Sequence, residues 1–287
     1  MRDDNPVRSG PELVSVATGT WLRTEEIIRP LIVFVHGFTA HGRYLKKHAT
    51  LVQQSNYCAA YFNYDSYVGI DIAAGKLAAR LNYHAKAISS HGLVFIAHSM
   101  GGLVTRFCVS KSLGALGNHV KGVVLLGTPS QGTLNNGWML PRLLDAGDLL
   151  AGLSPYLRLP MCRAAKQLTM CDPDGLIRNL NSEQMGKPAQ CPTLTIAGGL
   201  KFIELGDKPK HWVNHACNMM IQKVLGPGPN DGLVPEASVN LNRVLGSTSG
   251  HNHKADYEDY SITNHSALAG NQEVGYVTLD FIKKVAP

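Results

Sequence analysis

A chain of 287 residues with 44% hydrophobic and 17% charged side chains can bury a large core, which excludes a disordered or collagen-like polymer. Its 27 Lys and Arg against 21 Asp and Glu leave a net charge of +6. The basic residues are dispersed and not interleaved with aromatics, so a nucleic-acid partner is not expected, while peripheral contact with anionic lipid surfaces stays open.

Residues 1–10 are polar and carry both signs of charge, without the apolar stretch of a signal peptide. No run reaches the roughly 18 apolar residues of a membrane span. The six cysteines are scattered, with no C-x-x-C pair. The expectation is therefore a cytoplasmic, reduced protein, unless a leader has been removed. Cys162 and Cys171 could pair if the chain met an oxidising compartment.

Residues 13–21 alternate loosely and predict an edge strand. Residues 31–35 are continuously apolar, as in a parallel strand covered on both faces, and end at His36-Gly37-Phe38-Thr39-Ala40. A helix is predicted over 44–54 and a strand over 58–63. An amphipathic helix is predicted over 70–90, with Ile72, Leu77, Leu81 and Ile88 at roughly helical intervals. The apolar run 93–97 leads into a turn, and a helix-like stretch, 103–112, leads out of it. Residues 120–126 repeat the buried-strand pattern. Strands alternating with helices imply an α/β fold with a parallel sheet and right-handed crossovers. Ligands bind beyond the carboxyl ends of such strands, where Phe38, Ser99 and Gly127-Thr128-Pro129 fall.

After Gly132 the pattern changes. Residues 134–187 hold no clean strand. Leu140, Leu143, Leu144, Leu150, Leu153 and Leu157 recur near helical spacing, and Gly147, Gly152, Pro155 and Pro160 break the segment into short helices. Between 134 and 160 only Arg142, Asp145, Asp148 and Arg158 are charged, too few to solvate every face of two short helices. Apolar surface must be buried there or held ready for an acyl chain, which makes Trp138 and Leu144 candidate substrate contacts. Residues 192–197 resume the sheet. His211 and His215 stand at i and i+4, a zinc-like spacing, but without a glutamate between them or an obvious third ligand. No metal is expected there, nor at His251 and His253. Residues 239–245 and 259–262 are expected to flank a last strand, and 272–284 to form the final helix.

The turn between strand and helix is Ala97-His98-Ser99-Met100-Gly101, a small-x-Ser-x-small pentapeptide. An unassisted serine hydroxyl is a weak nucleophile and must be shown to both a base and a substrate. A sharp strand-to-helix turn does this and leaves room only for small residues two before and two after the serine. The helix that follows aims its first amides at the site, so the Met100 N–H is placed to stabilise an oxyanion. An ordinary tight turn with an incidental serine would show the same five residues.

With its neighbours, the chain resembles the α/β-hydrolase superfamily, and within it the lipase-like serine esterases. The resemblance rests on Val35-His36-Gly37-Phe38, Ala97-His98-Ser99-Met100-Gly101-Gly102, Gly127-Thr128-Pro129-Ser130-Gln131-Gly132-Thr133, Asn230-Asp231-Gly232 and Asn264-His265-Ser266, in the family's order. It implies one α/β-hydrolase domain over 1–287, with a mainly parallel sheet, helices on both faces and a helical cap or lid at about 134–187. It implies Ser99 as nucleophile, Asp231 as acid and His265 as base, with Phe38 and Met100 as oxyanion-hole amides, and no cofactor. A plain strand-to-helix turn at 36–40, a type I turn at Asn-Asp-Gly and a satellite helix pair in place of a lid remain as alternatives. His98 is expected to point away from the Ser99 hydroxyl.

The implied reaction is hydrolysis of carboxylic esters of apolar acyl chains, as in a lipase or carboxylesterase acting on a small ester or lipid. The alternatives are a specialised deacylase or thioesterase related to GPI inositol-deacylases and, from another class, a non-catalytic hydrolase-fold binding protein. Ser99 disfavours the epoxide hydrolases and dehalogenases of this fold, which carry Asp at the elbow. Natural substrate and oligomeric state are not legible.

Overall fold

The computed structural model describes residues 12–132, 163–168, 175–184, 191–199, 230–245, 252–254 and 264–287. Their strands are β1 (Glu12–Ser15), β2 (Leu31–Val35), β3 (Cys58–Asn63), β4 (Leu93–His98), β5 (Val120–Leu126), β6 (Thr193–Ile196) and β7 (Asn252–Lys254). They form one sheet in the order β1-β3-β2-β4-β5-β6-β7. β1 runs antiparallel at the edge, and the six others are parallel. The helices are α1 (Lys46–Gln54), α2 (Ile70–Tyr83), α3 (Ala85–His91), α4 (Met100–Phe107), α5 (Arg163–Leu168), α6 (Leu176–Gln184), α7 (Glu236–Val239), α8 (Leu241–Leu245) and α9 (Gln272–Val285).

The central strand β2 is apolar at every position because both its faces are covered. On β2, Leu31, Val33 and Val35 point into one core, with α2 residues Ile70, Leu77 and Leu81 and α4 residues Leu103 and Val104. The alternate residues Ile32 and Phe34 point into the other, with Ala49 and Val52 of α1 and Val274, Phe281 and Ile282 of α9. Strand geometry sends successive side chains to opposite faces, so a five-residue apolar run feeds two cores at once. Each fully buried Leu, Ile or Phe contributes about 1.5–3 kcal/mol. α9 starts where Asn271 caps it, its side chain accepting from the Val274 amide at 3.1 Å.

Several elements differ from their sequence patterns. The edge strand predicted over 13–21 ends at Ser15. The chain then turns back, with Ser15 N–H donating to Thr20 O at 2.8 Å, so that Trp21 bridges Val14 from the other side. The long helix predicted over 70–90 breaks at His84, whose backbone leaves the helical region (φ −100°, ψ 14°) while its Nδ1 bonds Thr24 Oγ1 at 2.8 Å. The helix predicted from 103 already starts at Met100, and it widens into a π turn over Cys108–Ser112. There the Ser110 hydroxyl donates back to Arg106 O at 2.7 Å, a contact that bends helices. The segment 239–245, expected to flank the last strand, holds helix α8 and precedes β7, while 259–262 lie outside the described residues.

Candidate active site

Ser99 lies between β4 and α4 with φ 55° and ψ −128°, a backbone conformation that a residue with a side chain seldom adopts. The sheet and the helix hold it there. Its N–H donates to Leu126 O at 2.8 Å, and its own carbonyl accepts from Gly102 N–H at 3.0 Å. The turn is tight enough that a Cβ on Gly101 would collide with the backbone carbonyls of Val35 and His36. Glycine is therefore required at that position by the neighbouring strand end as well as by the turn itself.

His265 comes from the loop before α9, and Asp231 from the loop before α7. The His265 Nδ1–H donates to Asp231 Oδ2 at 2.7 Å, and the Ser99 hydroxyl donates to His265 Nε2 at 2.8 Å. A carboxylate can only accept, so the contact with Asp231 fixes the proton on Nδ1 and leaves Nε2 free to accept. Asp231 is held by its own turn. Its Oδ1 accepts from the amides of Leu233 (3.0 Å) and Val234 (2.8 Å), and its carbonyl accepts from His265 N–H at 2.9 Å. The Asn-Asp-Gly signature thus makes a turn and also presents a carboxylate to the imidazole. Asp231 and His265 are buried and Ser99 is half-buried. Gly127, at φ 57°, lets the chain pass close beside this pair: a Cβ there would lie 3.0 Å from His265 Nδ1 and 3.1 Å from Asp231 Oδ2.

On the other side of Ser99 the turn after β2 is fixed by His36. Its Nδ1–H donates to Gly37 O at 2.9 Å, its ring stacks on Tyr64, and the Tyr64 hydroxyl donates to His36 O at 2.7 Å. Burial pushes the His36 imidazole down to about 4, so it is neutral. Phe38, next in line, packs edge-on against Tyr67, with ring centroids 5.3 Å apart. The Thr39 N–H is taken by Ser66 Oγ at 3.0 Å. Met100 is buried, and as the first residue of α4 its amide is among those that no turn of the helix can satisfy. A cleft of about 20 Å³, room for a single water, lies beside this turn among His36, Thr39, Asn63 and Tyr64.

The structure brings Ser99, His265 and Asp231 into one hydrogen-bonded chain, with the turn of Phe38 and the start of α4 on its flanks. Trp138, Leu144, Cys162, Cys171, His211, His215 and His251 lie outside the described residues, as does most of the segment 134–187. Its described parts pack on the body. Arg163 Nη2 is paired with Asp71 Oδ2 at 2.6 Å, Gln167 accepts from Ile70 N–H at 2.7 Å, and Arg106 of α4 donates to Asn181 (2.8 Å) and Gln184 (2.6 Å) of α6. Sequence reasoning missed the histidines and tyrosines that hold the loops of the site. The one signal available was polar residues at the carboxyl ends of otherwise apolar strands, His36 after β2 and His98 on β4.

Residues 28–126 match the family described as "Putative serine esterase (DUF676)". Solved structures similar to this chain include the mature lipase BlEst2 of Bacillus licheniformis, 17% identical over 90% of this chain and 92% of that one, with a TM-score of 0.60. The chain has the α/β-hydrolase fold. A thermostable carboxyl esterase of Bacillus coagulans is 14% identical over 97% of this chain and all of its own length, with a TM-score of 0.54. Lipase B of Aspergillus fumigatus is 15% identical over 99% of this chain but only 58% of its own, with a TM-score of 0.58. No curated protein matches the sequence. Among the described residues, no helix is long and apolar enough to cross a membrane.

Proposed function

We propose that this α/β-hydrolase is a serine esterase that cleaves carboxylic esters of apolar acyl chains through an acyl-enzyme. The reading rests on the Ser99–His265–Asp231 chain, with hydrogen bonds of 2.8 and 2.7 Å at a strained turn before a helix. The Ser99 Oγ attacks the ester carbonyl carbon as its proton passes to His265 Nε2, and Asp231 stabilises the imidazolium through Nδ1. The carbonyl oxygen takes up the negative charge, facing the amides of Phe38 and Met100. Collapse of the tetrahedral adduct breaks the bond to the alkoxy oxygen, which leaves with the proton from His265. Water then repeats the sequence on the acyl-serine, giving the free acid and Ser99. The 20 Å³ cleft beside Phe38 is too small for an acyl chain. We assign the apolar wall, including Trp138 and Leu144, to the segment 134–187 on its composition.

A fluorophosphonate probe tests the reading. It should label the wild-type chain at Ser99 and leave Ser99→Ala unlabelled, and p-nitrophenyl butyrate should be hydrolysed only by the former. Labelling elsewhere, or ester turnover that survives in Ser99→Ala, would refute it. Turnover of an acyl thioester faster than of the matching ester would move the assignment to a thioesterase.

A further inference from the structure

The loop that carries His265 is short and irregular, a turn at 264–266 followed by a 3₁₀ turn at Ala267–Ala269. Its amides are satisfied at close range. His265 N–H goes to Asp231 O, Ala267 N–H to Asn264 Oδ1 at 2.8 Å, and Leu268 N–H to Asn264 O at 3.1 Å. Its carbonyls point the other way, toward side chains more than 160 residues earlier in the chain. His98 Nε2 lies 2.8 Å from His265 O, Tyr44 Oη 3.0 Å from Ser266 O, and His48 Nε2 3.0 Å from Leu268 O. A carbonyl only accepts, so each of these three side chains donates.

We infer that His98, Tyr44 and His48 are positioning residues that clamp the backbone of the base loop and so set the distance from His265 Nε2 to Ser99 Oγ. The inference rests on the serine-hydrolase reading above. Three observations carry it. His98 is the residue directly before Ser99, so its bond closes a ring: Ser99 backbone, His98 side chain, His265 backbone, His265 imidazole, Ser99 hydroxyl. Tyr44, in the 3₁₀ turn Gly42–Leu45, and His48, in the first turn of α1, reach the same loop from adjoining turns. The two histidines are buried, with no partner for either Nδ1, and burial pushes His98 down to about 3 and His48 down to about 4. Both are therefore neutral, and the one proton each keeps is the one given to the loop. The His98 and His265 rings also touch, with centroids 4.8 Å apart, and Tyr44 lies against His98 at 5.6 Å.

The test compares His98→Leu, His98→Gln, His48→Leu, His48→Gln and Tyr44→Phe in the full chain. Gln places an amide N–H near the position of the imidazole Nε2, whereas Leu only fills space. The readouts are kcat and KM for p-nitrophenyl butyrate, the labelling rate with the fluorophosphonate, the melting temperature, and amide hydrogen exchange over 264–268. His98→Leu should lower kcat and labelling about 10- to 100-fold with KM little changed, the loss expected when a base is displaced by about an ångström. His98→Gln should recover most of that loss. Tyr44 is partly exposed, so Tyr44→Phe should fold normally and lose about two- to fivefold in kcat, as for one neutral hydrogen bond. Exchange over 264–268 should quicken in the Leu and Phe variants. Wild-type kcat in both His98→Leu and Tyr44→Phe would overturn the clamp, as would losses that follow the melting temperature and are not rescued by Gln. If the wild type is neither labelled nor active, the serine-hydrolase reading falls. The exchange data then decide the clamp alone: unchanged exchange refutes it and quickened exchange upholds it.

Discussion

The two sides of the candidate site are built in opposite ways. The Ser99 elbow is local: strand, strained residue and helix follow one another within a few positions, and small residues make the turn. The His265 loop is irregular by itself and depends on donors from residues 44, 48 and 98 and on the Asp231 turn. A local device tolerates change elsewhere but not at its own small residues. A loop held from outside can be loosened by substitutions that never touch a reacting atom.

Ser99→Ala breaks the elbow side most completely. Ester turnover should fall by about 10⁴-fold or more with the melting temperature unchanged, since loss of a nucleophile leaves only binding and oxyanion stabilisation. Asp231→Asn tests the loop side. The amide can no longer hold the proton on Nδ1, so kcat should drop by about 10³- to 10⁴-fold, read by steady-state kinetics. A loss of less than about tenfold would show that the loop holds the tautomer without its carboxylate.

Acid distinguishes the two sides by stability. His36, His48 and His98 are buried with their imidazoles pushed by desolvation from 6.5 to about 4, 4 and 3. In the unfolded chain each takes a proton near pH 6.5, so below that pH the unfolded state binds more protons than the folded one. Stability should therefore be full above pH 6.5 and fall as pH drops from there toward 4. The slope is about 1.4 kcal/mol per pH unit for each histidine. Urea melts at pH 7, 6 and 5 should show this, and His48→Leu should flatten the slope. A slope that is flat in the wild type would mean that these imidazoles titrate normally.

Gly101→Ala tests the packing of the elbow. Its Cβ would meet backbone, which cannot move like a side-chain tip, so the cost should be about 1–3 kcal/mol or more, measured by denaturant midpoint. The proposed acyl wall is tested by substrate length. Trp138→Ser or Leu144→Ser should cut turnover of a long-chain ester by about tenfold, as lost apolar contact would, and leave an acetate ester nearly unchanged. Equal losses on both would make the segment structural.

What the sequence determined by itself was whatever depends on neighbours in the chain. The apolar runs 31–35 and 93–97 and the mostly apolar run 120–126 emerge as β2, β4 and β5 because a strand buried on both faces favours apolar residues along its length, the polar exceptions falling near strand ends at Lys121 and His98. The elbow was legible because strand, serine and glycine lie within nine residues, and the capped final helix because its start is a local hydrogen bond. Tertiary structure alone decided the rest. His84 breaks α2 from α3 while bonded to Thr24, a residue sixty positions away, which no helical periodicity encodes. Among twelve histidines, composition could not say which imidazole is the proposed base, which a proposed loop clamp and which a packing group. That distinction rests on burial and on what each ring nitrogen meets. His265 faces a hydroxyl and a carboxylate, whereas His98 and His48 face only backbone carbonyls. The partners come from opposite ends of the chain, so only folding sets the role of each.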